Sequence, residues 1–165
     1  MAAAAGSRAD RELTGPFWAA VDEHRLVRPR CNACRRSHFS PQVVCPHCQS
    51  PDWRYEPSIG TGEVISHTTV HRPPDPSFAA PYVVADVEVD EGWRLFTWIV
   101  DCDPDDVTIG MAVEVRFVPG ADGETLPAFA PAGTQEARDH GRGRGRGPDR
   151  AEDVRAAGPQ PGDEQ

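Results

Sequence analysis

Two short cysteine repeats constrain this chain more than any other feature. Cys31 and Cys34 form the first pair, and Cys45 and Cys48 form the second after ten intervening residues. Two residues between paired cysteines let both sulfurs of a tight turn point the same way, so each pair supplies two corners of a tetrahedral site. The spacing predicts one structural Zn²⁺ ion bound by these four cysteines. Four thiolates leave no open position for a reactive water, so we predict no catalytic role for the metal.

Other uses of these cysteines are open from the sequence. Free or disulfide-bonded thiols are one alternative, which the absence of a secretion signal disfavours. Iron in a rubredoxin-like site is another, because four thiolates accept either metal, but no flavin or nicotinamide motif accompanies them. His38 and His47 could replace a cysteine, although with four thiolates present we expect both to be exposed loop residues.

The turn after each cysteine pair lacks its usual glycine. Glycine often follows the second cysteine, where the backbone takes a positive φ, but Arg35 and Gln49 occupy these positions. A side chain there costs about 1 kcal/mol. Binding of a structural metal contributes on the order of 10 kcal/mol, so we expect the cysteine-bearing segment to fold around the metal as a zinc ribbon despite this strain.

The apolar residues are concentrated between Phe17 and Ala130, which leaves a small core and calls for stabilisation by a metal or a partner. The flanks are rich in Ala, Gly, Pro, Arg and acidic residues, which cannot bury enough surface to fold. We predict five segments: a disordered leader (1–13), a helix and lead-in (14–30), the zinc ribbon (31–53), an OB-fold barrel (54–131) and a disordered Gly/Arg/Pro-rich tail (132–165). We expect the barrel to stay mostly folded without the metal, because its strands lie outside the loop that the metal closes.

Thr14, Gly15 and Pro16 predict the start of a helix, with the Thr14 hydroxyl as its cap and an end near Arg25. After Gly60 the apolar residues alternate with polar ones, which is typical of strands with one solvated face. The predicted strands are Gly62–Arg72, Pro81–Asp90, Trp93–Val100, Val113–Phe117 and Thr125–Ala130. The fold class is therefore mainly β, with a short N-terminal helix, a rubredoxin-like zinc ribbon and a five-stranded OB-fold barrel.

The period-two pattern also assigns faces within these strands. It places Val83, Ala85, Val87 and Val89 on one face of their strand. In the preceding strand the same pattern places four residues on one face: Val64, Ser66, Thr68 and Val70. The strand aromatics are predicted to pack in the core: Trp93, Phe96, Trp98 and Phe117.

The formal charge of −9 argues against a general nucleic-acid binder, and the acidic residues of the Gly-Arg tail nearly cancel its arginines.

No apolar run reaches the roughly 20 residues of a membrane span, and we predict a cytoplasmic protein. Cys102 lies among aspartates, which raise the pKa of a thiol, so we do not expect a nucleophile there.

The order of motifs resembles one family. The helix with Phe17 and Trp18, the Cys31–Cys48 segment, the Gly60–Val64 strand start (GTGEV) and the Pro81–Val83 strand start (PYV) are similar to the zinc-ribbon plus OB-fold family called domain of unknown function 35. The resemblance covers about Phe17 to Pro131. Arg35 and Gln49 are its departures from that pattern.

This resemblance implies a non-catalytic accessory subunit of an acyl-CoA enzyme. The partner would be thiolase-like (a thiolase or a lipid-transfer-protein-like aldolase) or a MaoC-like hydratase, with a role in lipid or steroid metabolism. The ribbon would dock on the partner and the barrel would shape the CoA site. The alternative is a nucleic-acid-binding zinc-ribbon and OB-fold protein, which the acidic charge disfavours.

Two groups of residues are expected to serve these functions. Phe17 and Trp18 are expected to pack in the core, or alternatively to contact the partner. The segment His71–Tyr82 is rich in proline, and its Arg72, Phe78 and Tyr82 are predicted to face the acyl-CoA channel.

Overall fold

A computed structural model describes residues 12–74, 79–120 and 123–133 of the chain. The predictions for residues 1–11 and 134–165 lie outside this part. The described elements are an α-helix, a short 3-10 helix (Pro104–Asp106), a two-stranded sheet and a closed five-stranded barrel. Their bounds are α1 (Gly15–Asp22), β1 (Val27–Cys31), β2 (Trp53–Pro57), β3 (Thr61–Val70), β4 (Tyr82–Val89), β5 (Trp93–Ile99), β6 (Ala112–Pro119) and β7 (Thr125–Pro131). The predicted fold class is confirmed.

The ribbon contains an antiparallel pair of strands, β1 and β2, in which Cys31 lies opposite Trp53. Along β1, Val27, Pro29 and Cys31 are buried, whereas the two arginines between them are only partly buried and point to the other face, where each pairs with a glutamate. This pair is not evident from the sequence, because a proline and two arginines in five residues do not resemble a strand.

The barrel strands follow the order β3-β4-β5-β7-β6, and β6 returns to β3. The predicted buried face of β4 is confirmed, since Val83, Ala85, Val87 and Val89 are buried and their neighbours are not. β5 and β7 are the parallel neighbours, and their register contains a single pair, Ile99 with Phe129. The barrel is therefore weakly closed along this seam.

In β3 the predicted face is interrupted. Val64 is buried, but Ser66 and Thr68 are exposed. A bulge between Val64 and Ser66 shifts the register with β4, and such a shift moves later side chains to the other face of the sheet.

The helix is shorter than predicted. It ends at Asp22, and His24 has a φ of 56°, which no helix continues through. The predicted cap is also wrong, because the Thr14 side chain makes no capping hydrogen bond.

Helix, ribbon strand and barrel share one hydrophobic core. Phe17 and Val21 of α1 and Val27 of β1 belong to the same buried cluster as the barrel residues Val87 and Phe129. Phe39, from the loop between the cysteine pairs, packs on this cluster with its ring 5.0 Å from Phe17 and 5.5 Å from Trp93. The shared core argues against the expectation that the barrel stays folded without the metal, and that expectation remains a matter for experiment.

The strand aromatics divide between core and surface. Trp93 is 2% exposed and Phe117 packs against the core, as predicted. Phe96 is 71% exposed, so the prediction of core packing is wrong for this residue. Phe96 faces outward because it lies one residue after the buried Leu95 in an alternating strand.

Candidate metal centre and interaction surfaces

The structure brings the four predicted cysteines together. All four Sγ atoms lie within 4.8 Å of one another. The Sγ atoms of Cys31 and Cys48 are 3.6 Å apart, and those of Cys34 and Cys45 are 3.7 Å apart. A tetrahedral site with Zn–S bonds of about 2.3 Å has sulfur–sulfur edges of about 3.8 Å. The geometry fits one zinc ion bound by four thiolates.

The turns that present the cysteines have the backbone that the sequence predicted. Arg35 and Gln49 have φ values of 64° and 62°. The Arg35 N–H donates to the carbonyl of Cys31 at 3.0 Å, and the Gln49 N–H donates to that of Cys45 at 2.8 Å. Each turn thus closes its Cys-x-x-Cys loop at the residue after the second cysteine, and the left-handed conformation is needed at that point.

The electrostatics of the centre favour thiolate formation at one sulfur first. The Cys34 backbone N–H donates to Cys31 Sγ at 3.5 Å; this bond is the largest of several that, against the opposing effect of burial, lower the pKa of the Cys31 thiol to about 7. The backbone N–H of Ser50 acts in the same sense on Cys48, but desolvation and the Cys31 sulfur outweigh it and raise the pKa of Cys48 to about 11. A bound divalent cation would stabilise all four thiolates, so this difference between Cys31 and Cys48 would no longer decide which sulfur is ionised.

The two histidines near the centre differ from each other. His47 is exposed as predicted, and its Nε2 lies 3.4 Å from the Ser37 carbonyl. His38 is only 5% exposed, so the prediction of an exposed loop residue is wrong for it. Its ring packs edge-on against Trp53, and burial followed by the proximity of His47 lowers its pKa. Neither imidazole belongs to the cluster of four sulfurs.

Cys102 lies apart from the metal centre, in the loop that follows β5. Burial and then the carboxylates of Asp106, Asp101 and Asp103 raise the pKa of its thiol. The predicted effect of the aspartates on this thiol is confirmed, and a thiol with a raised pKa is a poor nucleophile.

The residues predicted to face a partner or acyl-CoA occupy different environments. Phe17 is 2% exposed and belongs to the core, whereas the neighbouring Trp18 is half-buried. Arg72 is exposed beyond the end of β3, and Tyr82 begins β4. Phe78 lies outside the described residues.

An apolar groove of about 340 Å³ runs along the weakly closed seam of the barrel. We call it the seam groove. Residues from the helix, the ribbon loop, β4, β5 and β7 line it, including Trp18, Phe39, Val84, Phe96, Trp98 and Leu126. This surface was not among the predicted sites. Strict alternation in β5 is the sequence signal for it, because alternation places Phe96 and Trp98 on the outer face of the strand.

A buried ionic contact joins ribbon and barrel. Arg28 of β1 donates to Glu91, in the turn between β4 and β5, at 2.6 Å. Glu91 also accepts from the Ser58 hydroxyl at 2.9 Å and from the Ile59 N–H at 2.8 Å. One carboxylate therefore ties β1, the linker after β2 and the barrel hairpin together.

Within the described ranges, no helix combines the length and apolar character that crossing a membrane requires.

Two family profiles match consecutive parts of the chain. Residues 18–54 match the rubredoxin-like zinc ribbon domain of ChsH2, and residues 55–118 match the C-terminal OB-fold domain of ChsH2. The two matches divide the chain close to β2, between the metal centre and the barrel.

Curated relatives carry two kinds of name. A probable enoyl-CoA hydratase alpha subunit of Thermomonospora curvata is 46% identical over 121 residues, which cover 73% of this chain and 38% of the relative. The chain thus spans about two-fifths of that protein's length. A DUF35 domain-containing scaffold protein of Methanocaldococcus jannaschii is 39% identical over 103 residues, which cover 61% of this chain and 73% of the relative.

A solved structure shares this fold over nearly its whole length. It is a chain of the Ltp2-ChsH2(DUF35) aldolase, with a TM-score of 0.68 and 42% identity over 74% of this chain and 96% of that one. Together with the two profiles and the scaffold relative, this match establishes the family. The chain belongs to the ChsH2 zinc-ribbon and OB-fold (DUF35) family.

Proposed function

We propose that this protein is a non-catalytic accessory subunit of an acyl-CoA enzyme, either a thiolase-like aldolase or a hydratase. The observation that carries the proposal is the match to the DUF35 chain of an aldolase complex over 96% of that chain. The relative named as an enoyl-CoA hydratase alpha subunit supports the same class of partner. In this account the partner carries out the chemistry and this chain completes its assembly.

The metal centre supports a structural role. Zinc bound by Cys31, Cys34, Cys45 and Cys48 has its four tetrahedral positions filled by protein sulfur, so it offers no position to a water or a carbonyl oxygen. The metal instead fixes the loop that holds Phe39 against α1 and the barrel. It thereby stabilises the surface that surrounds the seam groove.

The loop between β3 and β4 is the proposed contact to acyl-CoA. Arg72 is exposed there and can pair with a phosphate, while Tyr82 and Phe78 can line the path of the acyl-pantetheine. Trp18 is the proposed docking residue of the helix. Phe17 supports Trp18 from the core through an edge-on ring contact at 5.0 Å.

Co-expression with aldolase and hydratase subunits from the same genome tests the proposal. Size-exclusion chromatography with light scattering should show a stable heteromer with one of them, and the isolated chain should turn over no acyl-CoA. A monodisperse chain that ignores every such subunit, or one that catalyses aldol cleavage or hydration alone, would contradict the proposal.

Arg72→Ala tests the loop separately from assembly. The variant should assemble normally and raise the KM of the complex for acyl-CoA, because a lost phosphate contact weakens substrate binding. Arg94→Ala is the matched control, since Arg94 is an exposed arginine of the barrel that pairs with Glu88. An unchanged KM for Arg72→Ala would remove this loop from the CoA site.

A further inference from the structure

We propose that the seam groove is a docking site for a partner segment that inserts an arginine beside apolar side chains. The inference deepens the proposed function and rests on it, because it names the surface and the chemistry by which the acyl-CoA enzyme is held. Three features carry it: the weakly closed seam, the exposed aromatic at its edge and, beside that aromatic, a carboxylate that no described residue engages.

The seam is weakly closed because the register of β5 with β7 contains a single pair, Ile99 with Phe129. Beside this pair the Val100 N–H donates to the Phe129 carbonyl at 2.8 Å, and two residues earlier the Thr97 hydroxyl, rather than a backbone N–H, donates to the Pro127 carbonyl at 2.6 Å. The helix approaches this gap through Trp18 without filling it. The remaining space of about 340 Å³ is lined by apolar side chains and accommodates a few side chains of another protein.

Phe96 gives the groove an anchor point at the surface. It is 71% exposed in the middle of a regular strand, where its ring gains little from the barrel's own core. Exposed aromatic residues beside apolar grooves are typical of protein interfaces, since they bury a large area at a low entropic cost.

Asp86 supplies the charge at this point. It lies directly opposite Phe96 in the β4–β5 ladder, so both side chains leave the same face of the sheet about 5 Å apart at Cβ. Glu88, two residues along β4, pairs with Arg94 at 2.9 Å. In the part of the chain that the structure describes, no hydrogen bond or ion pair engages the Asp86 carboxylate. A guanidinium can pair with this carboxylate and stack on the Phe96 ring at once.

Other occupants fit less well. A second copy using the same patch would have to supply the cation from that patch, but β4 and β5 carry one basic residue, Arg94, which Glu88 already engages. The chain's own tail has arginines at 142, 144 and 146, yet these alternate with glycines and bring no large apolar side chains for the groove. A partner segment supplies both the cation and the apolar groups.

The test measures the affinity of the full-length chain for the aldolase or hydratase subunit with which the wild type assembles. Phe96→Ser and Asp86→Asn should each raise the Kd by about tenfold or more, the range for an interface hot spot. Ile109→Ser and Asp105→Asn are matched controls. Ile109 is also 71% exposed, Asp105 is an exposed acid in the short 3-10 helix after β5, and both controls should stay within twofold of wild type. Thermal melting of each variant checks that the fold is intact.

The possible results separate the two proposals. No assembly by the wild type overturns the proposed function and this inference with it. Assembly that Phe96→Ser and Asp86→Asn leave unchanged overturns the inference alone. A full-length variant with Arg142→Ala, Arg144→Ala and Arg146→Ala should bind like wild type; tighter binding would identify the tail as the occupant and also overturn the inference. Equal losses of affinity in the two variants and in their two controls would also overturn the inference, since equal losses would show a general effect of surface substitution.

Discussion

The guanidinium of Arg28, in the first ribbon strand, donates a 2.6 Å hydrogen bond to the carboxylate of Glu91, in the barrel hairpin. Both side chains are largely buried, at 11% and 17% exposed. Arg28 also donates to the Ser37 hydroxyl and the Pro57 carbonyl. This ion pair therefore fixes β1 to the barrel. β1 begins beside the core at Val27 and ends at the metal ligand Cys31.

Removing the carboxylate should destabilise the whole chain. Glu91→Ala leaves the Arg28 guanidinium without its closest counterion and removes the acceptor for two other donors. We expect the free energy of unfolding to fall by about 2–4 kcal/mol, as for other pairs broken away from solvent. Urea denaturation of the zinc-bound protein measures it. Glu23→Ala is the control, because the Arg25–Glu23 pair is well exposed and should cost less than about 0.5 kcal/mol.

Zinc loss should unfold the barrel together with the ribbon. Cys45→Ser removes one zinc ligand. Because Phe39 of the metal loop packs against Phe17 and Trp93, we expect the loss of zinc to destabilise the helix and the barrel as well. On heating the wild type, zinc release detected by a chelating dye should coincide with the loss of β-sheet circular dichroism. Cys102→Ser is the control: Cys102 lies outside the metal cluster and packs at the edge of the core, so the variant should lower the melting temperature only slightly and leave zinc binding unchanged. Two results would contradict a single cooperative unit. One is β-sheet circular dichroism that persists after zinc has been released, and the other is a melting temperature of Cys45→Ser equal to that of the wild type.

Tyr55 should make the protein less stable in strong alkali. Burial raises the pKa of its phenol to about 12, and its hydroxyl donates to the Leu13 carbonyl at 2.9 Å. Below pH 10 the phenol is neutral in both states and the folded protein keeps its full stability. Between pH 10 and 12 the unfolded chain releases the proton first, so stability falls as pH rises.

The loss should stay below the roughly 2.7 kcal/mol that a pKa difference of two represents, because Tyr55 is only partly buried. Tyr82→Phe leaves Tyr55 as the single tyrosine, so its phenolate absorbance can be titrated directly. Tyr55→Phe should flatten this part of the pH profile. A midpoint near 10 for Tyr55 would show that the side chain is not buried as described.

Gly60 should tolerate no side chain. Its φ is +74°, and a Cβ would lie 2.4 Å from Cγ1 of Val115. Gly123 has a similar φ of +80° with open space around it. Gly123→Ala should therefore cost about 1–2 kcal/mol for backbone strain, and Gly60→Ala about 1–3 kcal/mol more for overpacking. Chemical denaturation compares the two; equal losses would mean that Val115 moves aside freely.

The cysteine spacing and the strand alternation were enough to predict the metal centre and most of the barrel. Arg35 and Gln49 have the positive φ that their positions after each cysteine pair require. Val83 and Val87 point inward because alternation in β4 is unbroken. These features depend on residues that are close in sequence, and local patterns are sufficient to specify them.

The remaining features depend on residues far apart in the chain. The pairing of β1 with β2 joins segments that the whole metal loop separates, and Pro29 hides the strand pattern. His38 is buried because the loop folds under Trp53, which no local periodicity indicates. The β3 bulge near Ser66 inverts a face without changing the composition of the strand. The seam groove exists only where β5, β7 and α1 meet.

Steady-state acyl-CoA turnover by the partner enzyme, measured with and without this chain, tests the central claim most directly. The chain alone should be inactive, the partner alone should be weakly active or insoluble, and the zinc-loaded complex should show a kcat/KM at least about tenfold higher, equivalent to about 1.4 kcal/mol of transition-state stabilisation. A partner that turns over acyl-CoA equally well without this chain, or turnover by the isolated chain, would contradict the account.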